Sequence, residues 1–391
     1  MCPSYRATLE ERDSTRGRAR MLFEMVRGNP LAGGWDNPHV KASLDLCLSC
    51  KSCRAECPVQ VDMATYKAEF LHHYYQKHAR PLHAYGMGLI HQWARLAGHV
   101  PGLVNLATQT PGISRLVKTM AGIAPQRQVP VFARPFNRRF RPTGREGDPR
   151  PPVVLWPDTF NNYFHPETAR AAAAVLEQAG YSVTVPSGFV CCGRPLYDFG
   201  MLTAARKRLE HSMDVLARAI ADGIPVVGLE PACVSTFRDE LLNFFPRDER
   251  AKRLSKQVFL LPEFLDQQSN RQLPALSGKA IVHGHCHQKA VMGMGSTERV
   301  LRSAGLEVDM LDTGCCGMAG AFGFQPDKYE ISIRIGEGSL LPAVRNAGEG
   351  TLIVADGYSC REQVFQATGK LPLHTAEVLA RASRPAGARP G

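Results

Sequence analysis

Four cysteines near the N-terminus have a spacing that few folds can use. The segment "CLSCKSCRAECPV" separates its cysteines by two, two and three residues and ends in Cys-Pro. Thiolates at this spacing wrap one face of a cubane cluster, and the fourth cysteine ligates another cluster in two-cluster proteins. Zinc sites instead pair C-x2-C knuckles across longer loops. The run Cys47, Cys50, Cys53 and Cys57 therefore predicts a 4Fe–4S cluster.

A second Cys-Pro pair stands at positions 2 and 3. We expect Cys2 to be the fourth ligand of the cluster held by Cys47, Cys50 and Cys53, and the alternative is an incidental terminal thiol. Cys57 then belongs to a second cluster whose other cysteines would precede Met1. We therefore expect the N-terminal module to be truncated, as in a fragment or one half of a split gene.

The composition favours a cytoplasmic location. Hydrophobic residues make up 44% of the chain and charged residues 21%, as in globular proteins. The longest apolar runs are shorter than a membrane span, and the first residues lack the apolar stretch of a signal peptide. In a reducing compartment, twelve clustered cysteines are expected to bind metals rather than form disulfides.

The positive charge is confined to the first part of the chain. Residues 1–150 contain 22 Lys and Arg against 11 Asp and Glu, and residues 151–391 contain 25 of each. We expect this basic part either to face an acidic protein or a membrane surface, at the inner face of the membrane, or to be a solvated face beside an anionic cluster. Nucleic acid is not expected, because no aromatic and basic platform accompanies the charge.

The C-terminal part of the chain is an internal repeat. "CCGRPLYDFG" at 191 and "CCGMAGAFG" at 315 lie 124 residues apart, and the flanking segments match at an offset of 127. Each unit reads as three apolar strands that alternate with helices, which predicts a small parallel sheet covered by helices. The offset pairs Thr159 with Cys286 and Cys233 with Cys360.

The repeat cysteines follow predicted strands, where open α/β sheets bind their ligands. The second unit has four, and we expect it to hold a metal or a second iron–sulfur site. The first unit has three cysteines and Thr159 in the fourth place, so we expect a weaker or empty site. Buried free thiols are the alternative for both. The seven cysteines are Cys191, Cys192 and Cys233 in the first unit, and Cys286, Cys315, Cys316 and Cys360 in the second.

Three histidines surround Cys286 in "HGHCHQK". If this segment is extended, His285 and His287 lie on the side opposite Cys286. His283, His285 and His287 are candidates for proton donors, for zinc ligands or for hydrogen-bonded core residues.

Together these features predict an α+β multidomain protein. Residues 1–80 are expected to form an all-α ferredoxin-like module, and residues 81–150 a helical linker that ends in a Pro- and Arg-rich segment. The linker helices are expected to pack across a domain junction, with His91 and Trp93 as packing residues, or to lie against a membrane or a partner. Two tandem α/β domains with small parallel sheets follow at 151–272 and 278–383.

These motifs resemble known iron–sulfur proteins. The CCG repeats are similar to the cysteine-rich domains of heterodisulfide reductase and of the iron–sulfur subunits of glycolate oxidase, lactate utilisation and anaerobic glycerol-3-phosphate dehydrogenase. With "SLDLCLSCKSCRAECP", "VVGLEPACV" and "HGHCHQKAVMGM", the chain most resembles the C-terminal part of long fused dehydrogenases of D-2-hydroxy acids. In those proteins an FAD-linked oxidase domain precedes a ferredoxin and two CCG domains.

The resemblance implies an electron-transfer module that passes electrons from a reduced flavin through 4Fe–4S to an acceptor. FAD is expected only on a partner domain or subunit, because no G-x-G-x-x-G motif follows a strand here. Whether the chain is an enzyme by itself therefore stays open. The alternatives are a thiol/disulfide oxidoreductase of heterodisulfide-reductase type and a zinc-stabilised, non-catalytic fragment that binds a partner. That reductase has a C-x2-C pair in each CCG domain, and here Glu230 and Gly357 stand at the position of its first cysteine. The missing cysteine weighs against a five-cysteine cluster.

Overall fold

The structure is a computed structural model that describes residues 2–142, 148–268 and 275–381. Its N-terminal part, residues 2–80, is built from helices and short 3-10 turns, with no strand among the residues described there. Side chains cap three of these helices, at Ser14, Asn37 and Asp62. The helices are α1 (Pro3–Thr8), α2 (Thr15–Arg27), α3 (Pro38–Asp45), α4 (Ser52–Glu56) and α5 (Met63–Lys77).

The middle segment forms five short helices with an unusual distribution of side chains. Their buried faces are made mainly of small residues, and many large apolar side chains are exposed. His91 is buried as expected, but the expectation that Trp93 packs is wrong, because 47% of Trp93 is exposed. The helices are α6 (Leu82–Gly88), α7 (Ile90–Ala97), α8 (Pro101–Gln109), α9 (Ile113–Ala121) and α10 (Phe136–Arg139).

The first repeat unit contains a parallel sheet of four strands in the order β2-β1-β3-β4. The three predicted strands are present, and the short strand β4 adds an edge that the sequence pattern did not indicate. The elements are β1 (Pro152–Trp156), α11 (Thr159–Tyr163), α12 (Pro166–Gln178), β2 (Ser182–Thr184), α13 (Arg194–Asp198), α14 (Leu202–Val215), α15 (Ala217–Ala221), β3 (Val226–Gly228), α16 (Pro231–Arg238), α17 (Glu240–Phe244), α18 (Glu249–Gln257), β4 (Val258–Leu260) and α19 (Leu261–Gln268).

The second unit repeats this arrangement with three parallel strands in the order β6-β5-β7. As in the first unit, the first strand is central and the next two strands flank it. The elements are β5 (Lys279–Val282), α20 (Cys286–Val291), α21 (Gly295–Ser303), β6 (Glu307–Met310), α22 (Tyr329–Glu337), α23 (Leu340–Asn346), β7 (Leu352–Val354), α24 (Tyr358–Thr368) and α25 (Thr375–Arg381).

The two units share one hydrophobic core. The last helix, α25, packs against α12 of the first unit, and α21 packs against α19. Val153 and Leu155 of β1 and Val282 of β5 belong to the same buried cluster. The protein is therefore mostly helical, with two small parallel sheets held together by one core. The predicted domain limits at 272 and 383 lie outside the described residues.

Among the described helices, none has the length and apolar character needed to cross a bilayer.

Candidate metal centre

The four cysteines of the second unit meet at the carboxyl end of the sheet. Cys286 is the first residue of α20 after β5, Cys315 and Cys316 lie in the turn after β6, and Cys360 lies in the first turn of α24 after β7. All four are buried. Gly317 ends the turn at a φ of 90°, and a Cβ atom there would lie 2.1 Å from the carbonyl oxygen of Ser332, so only glycine fits.

The four thiols are close enough to perturb each other. Hydrogen bonds with Cys286 and Cys316, together with burial, raise the pKa of Cys315 well above its usual value. The pKa of Cys316 is lowered well below its usual value, because Cys315 and Cys360 donate to its sulfur. The bond to Cys316 and burial likewise raise the pKa of Cys360, so several thiolates at once are unfavourable without a cation. A bound metal removes this conflict, since it stabilises several thiolates at once.

His283 belongs to the same site. One donor atom each of His283, Cys316 and Cys360 lie within 4.8 Å of one another, and all three residues are buried. The segment around Cys286 is not extended as the sequence analysis assumed, because Cys286 begins a helix and His285 caps it. The prediction that His285 and His287 lie opposite Cys286 therefore does not apply.

The first unit brings its three cysteines together too. Cys192 Sγ lies 3.1 Å from Cys233 Sγ, and a hydrogen bond with Cys192 and burial raise the pKa of Cys191. Thr159 is the first residue of α11, the position that Cys286 has in α20, so the predicted correspondence between the units is confirmed.

Glu230 lies between the two units. Its carboxylate accepts hydrogen bonds from the backbone N–H groups of Ala232, at 3.3 Å, and of Tyr358, at 2.7 Å. Burial, followed by the nearby Asp158 carboxylate, raises the pKa of Glu230 to about 8. The carboxyl group thus joins the N-termini of α16 and α24.

The N-terminal cysteine run lies beside a buried arginine. Cys47 and Cys53 belong to one packed cluster, and the pKa of Cys53 is raised to about 11, by burial and, less strongly, by the charges of Cys47 and Cys2. Arg18 Nη1 donates to Cys2 Sγ at 3.1 Å, although Arg18 is only 1% exposed. Burial alone would raise the pKa of Cys2, but the charge of Arg18 and the hydrogen bonds from Ser4, the Tyr5 backbone and Arg18 together leave that pKa below its usual value.

Cys50 connects the run to the second unit. It packs against a cluster that contains Cys286 and Cys315. Burial, and then the charge of Cys286, raises the pKa of Cys50. The neighbouring carbonyl of Ser49 accepts hydrogen bonds from Arg194 Nη2, at 3.0 Å, and from a histidine of α20.

Cys57 has a different environment. It is partly buried, and backbone N–H groups of Val61 and Val59 in its own loop lower its pKa.

The run also has a partly buried cation close to its first cysteine, since Lys67 donates to the carbonyl oxygen of Cys47, at 2.6 Å. Arg18 beside Cys2 suits a negatively charged cluster, because a charged N–H group that donates to sulfur stabilises the anionic form. The residues present therefore fit an iron–sulfur cluster at the run.

Comparison with protein families agrees with this arrangement. Residues 1–62 match a 4Fe-4S dicluster domain, and residues 158–238 and 286–364 match a cysteine-rich domain of the CCG type. The chain belongs to the iron–sulfur proteins that combine these two kinds of domain. It is the iron–sulfur part of an electron-transfer system and carries 4Fe–4S ligation.

Individual relatives cover different parts of the chain. D-2-hydroxyglutarate dehydrogenase of Pseudomonas putida is 29% identical over 97% of this chain and 41% of its own length. One subunit of the anaerobic glycerol-3-phosphate dehydrogenase of Escherichia coli is 29% identical over 72% of each chain. Lactate utilization protein A of Geobacillus kaustophilus is 31% identical over 44% of this chain and 73% of its own. The chain thus spans about two fifths of the dehydrogenases that it matches over nearly its whole length.

Two buried cations beside the cysteine sites were missed by the sequence analysis. Lys51, between two cysteines of the run, is fully buried and forms ion pairs with Asp62, at 3.0 Å, and Glu240, at 2.8 Å. Arg194, directly after the first CCG motif, pairs with the same Glu240 at 2.6 Å. A lysine inside a cysteine run was the available signal, but its partners are distant in sequence.

Proposed function

We propose that the chain is the electron-transfer part of a flavin-dependent dehydrogenase of D-2-hydroxy acids, of the lactate, glycolate or 2-hydroxyglutarate type. Dehydrogenase activity then needs an FAD-linked oxidase domain or subunit. The relatives named for D-2-hydroxyglutarate and lactate support this substrate class. Electrons leave the reduced flavin one at a time, enter the N-terminal cluster and pass to the second CCG unit and then to an acceptor.

One observation carries this order of transfer. Cys50 packs in the same cluster as Cys286 and Cys315, so a centre on the run and a centre in the second unit would be neighbours. Electron transfer becomes much slower with distance, and a short separation therefore favours this route. We therefore place the second unit directly after the run in the electron path. The first unit is less suited to this place, because Thr159 stands where its fourth thiol would be.

We assign the ligands accordingly. Residues 1–80 form the ferredoxin-like module, residues 81–150 the linker, and residues 151–272 and 278–383 the two CCG domains. Cys57 belongs to a second cluster, and the three cysteines of the first unit form a weaker site. The ligands of the N-terminal cluster are Cys2, Cys47, Cys50 and Cys53, and those of the second unit include Cys286, Cys315, Cys316 and Cys360.

A disulfide reductase has less support. Such an activity uses a C-x2-C pair in each CCG domain, and here Glu230 and Gly357 stand in the first cysteine's place. Glu230 is bound to two backbone N–H groups instead, which is a structural role. A zinc-stabilised fragment makes a different prediction, since it would contain zinc and no iron.

The test is the iron and acid-labile sulfide content per chain, with EPR, of protein purified without oxygen. About eight irons, enough for two cubanes, are expected when both sites are filled. Chemically reduced FAD should then reduce the clusters. Cys47→Ser should remove the N-terminal signal, Cys315→Ser the other, and Cys57→Ser neither. Zinc alone, or no metal after reconstitution, would overturn the proposal.

We also infer that α6 to α9 lie on an anionic lipid surface, at the inner face of the membrane of a cytoplasmic protein. Helix α8 has the reverse of the usual arrangement in a globular protein, because its polar side chains are buried and its leucines are exposed. Asn105 exchanges two hydrogen bonds of 2.8 Å with the backbone of Phe132, and Thr108 is buried, whereas Leu103 and Leu106 are 67% and 63% exposed. An apolar stripe facing outward requires an apolar surrounding.

The neighbouring helices repeat this pattern. Helix α9 packs against both α6 and α8. Its exposed apolar residues are spaced three and four apart, so they form one stripe. More than 40% of each of the following side chains is exposed: Leu82 and Tyr85 in α6, Trp93 and Leu96 in α7, and Ile113, Leu116 and Met120 in α9.

The charge around these stripes supports an anionic lipid surface as the partner. No Asp or Glu occurs between Glu69 and Glu146, where eleven Lys and Arg are found. An open cavity of about 630 Å³ beside Leu103 is lined by Arg134, Arg138 and Arg139, which suits a phosphate headgroup. Apolar side chains flanked by basic ones are typical of helices that lie in an anionic membrane interface.

Vesicle flotation of the full chain tests this surface. Binding is expected to vesicles that contain phosphatidylglycerol and to be much weaker with phosphatidylcholine alone. Leu103→Ser with Leu106→Ser should weaken binding at least tenfold, from the burial of ~1.5–3 kcal/mol per leucine. Leu371→Ser is the control, an equally exposed leucine in the second unit. Self-association through α8, or equal loss in the control, would contradict lipid binding.

A further inference from the structure

His283 presents a buried ring nitrogen to two cysteines of the second unit. The residue follows β5 and is 2% exposed, and its backbone N–H donates to the carbonyl oxygen of Val354 at 2.9 Å. Its Nδ1 lies 2.6 Å from Thr313 Oγ1. Its Nε2 is buried and bonds to no oxygen or nitrogen of the described residues, and the His283 side chain also interacts with that of Cys316. A ring nitrogen, Cys316 Sγ and Cys360 Sγ lie within 4.8 Å of one another.

The bond to Thr313 leaves Nε2 free for a metal. A histidine that ligates through one nitrogen usually donates the N–H of the other to a neighbouring oxygen, which fixes the ring and the tautomer. The Thr313 hydroxyl is such an acceptor. A buried nitrogen that has no oxygen or nitrogen partner is unfavourable, and ligation by a metal satisfies it.

The distances suit a single ion. Donors held at about 2.3 Å for sulfur and 2.1 Å for nitrogen on a tetrahedral ion are themselves roughly 3.5–3.8 Å apart. The upper limit of 4.8 Å for His283, Cys316 and Cys360 includes this spacing. We propose that His283 Nε2 is a ligand of the metal in the second CCG unit and shares one iron or zinc ion with Cys316 and Cys360. This proposal rests on the proposed function only in that the second unit binds a metal.

The first unit provides an internal comparison. The offset of 127 residues that aligns the units places Trp156 opposite His283 and Thr159 opposite Cys286. Trp156 Nε1 donates to the carbonyl oxygen of Val190 at 3.2 Å, and an indole has no lone pair for a metal. The unit that lacks the fourth thiol therefore also lacks the imidazole. Both changes remove a donor from the same site.

A neutral imidazole changes the chemistry of the centre. Replacing one thiolate by a nitrogen ligand removes one negative charge from the site and raises the reduction potential of an iron centre. Metal binding then also depends on pH, because the imidazole must be unprotonated at the nitrogen that binds the metal. The second unit would thus accept electrons more readily than an all-thiolate site.

The test uses the full chain labelled with ¹⁵N-histidine and reconstituted without oxygen, once with iron and sulfide and once with zinc. Pulsed EPR of the reduced iron protein, and X-ray absorption of the zinc protein, should detect a nitrogen ligand. His283→Gln should lose that ligand and lose the metal of the second unit to a chelator at a 10- to 100-fold lower concentration. His283→Cys should retain the metal without the nitrogen signal.

Matched variants make the result decisive. His91→Gln, which changes another buried histidine, should behave as the unchanged protein. A nitrogen signal or chelator resistance that survives in His283→Gln would overturn the proposal. The proposal would also be overturned if the wild-type chain retained no more metal than the Cys360→Ser variant. If the EPR signal of the N-terminal cluster is then still present, the electron-transfer proposal stands and only the histidine ligand fails.

Discussion

His287 Nε2 donates a hydrogen bond of 2.8 Å to the carbonyl oxygen of Ser49, 238 residues away. A carbonyl only accepts, so Nε2 carries the proton, and Nδ1 faces Ser235 Oγ at 3.3 Å. Ser49 lies inside the N-terminal cysteine run, and His287 follows Cys286. This bond therefore attaches the loop of the first site to the helix that begins at the second.

Removing this bond should loosen the junction. His287→Phe keeps most of the ring volume but deletes the donor, and Ser49 keeps only its bond from Arg194. We expect the free energy of unfolding to fall by about 1–2 kcal/mol, measured by urea denaturation without oxygen. Ser235→Ala, which leaves the Ser49 bond intact, should cost less. Equal stability of His287→Phe and wild type would show that the bond contributes nothing.

Arg18 should tune the N-terminal cluster through Cys2. Arg18→Gln removes a buried cation that donates to the Cys2 sulfur at 3.1 Å, so the reduced, more negative cluster loses stabilisation. The bond is stronger to the reduced cluster, and each ~1.4 kcal/mol of difference in its strength between the two redox states lowers the one-electron potential by about 60 mV when the bond is removed. EPR-monitored redox titration measures it. Arg16→Gln, at an exposed position of the same helix, is the control and should leave the potential unchanged.

Lys51 should be needed for the junction between the run and the first unit. Its buried ammonium pairs with Asp62, Asp239 and Glu240. Lys51→Met removes the cation that pairs with Asp62, while Asp239 keeps Arg54 and Glu240 keeps Arg194. Because one partner of a buried ion pair is then missing, we expect a loss of about 3–5 kcal/mol in unfolding free energy. The exposed pair between Lys252 and Glu249 is the control, and Lys252→Met should give no measurable change. A small effect of Lys51→Met would indicate that water or Arg194 compensates.

His91 should make stability depend on pH. Burial, and then the charge of Arg208, lowers the pKa of His91 to about 4. Between pH ~6.5 and ~4 the unfolded chain binds a proton at His91 that the folded chain does not bind. The free energy of unfolding therefore falls by up to ~1.4 kcal/mol for each pH unit by which the pH is lowered. Neither ring nitrogen has a hydrogen-bond partner among the described residues. His91→Leu should therefore be at least as stable at pH 7 and show a flatter pH profile in urea denaturation.

Local patterns were predictable for a physical reason. The spacing of a cysteine run and the alternation of apolar strands with helices are set by neighbours in the chain. The three strands predicted for each repeat unit are all present, whereas the edge strand β4 was not predicted. β4, Val258–Leu260, lies directly between α18 and α19 with no residue separating it from either helix, so no turn signal marks it as a strand.

The middle segment was harder to interpret. Its helices were expected, but a hydrophobic stripe does not state whether it faces the core or the outside. On α8 the choice depends on Asn105, which bonds to the backbone of Phe132, 27 residues away. Trp93 was assigned to the interior on residue type alone, and its indole is half exposed.

The sequence by itself determined the kind of chemistry: the iron–sulfur spacing, the duplicated CCG unit and the missing fourth thiol in the first copy. Only the tertiary structure decided which donors meet. It brought Cys50 to Cys286, Arg18 to Cys2, and His283 to Cys316 and Cys360. Short stretches of chain determine which residue types can act as ligands. The distance between side chains far apart in sequence depends instead on how the helices and both sheets pack together.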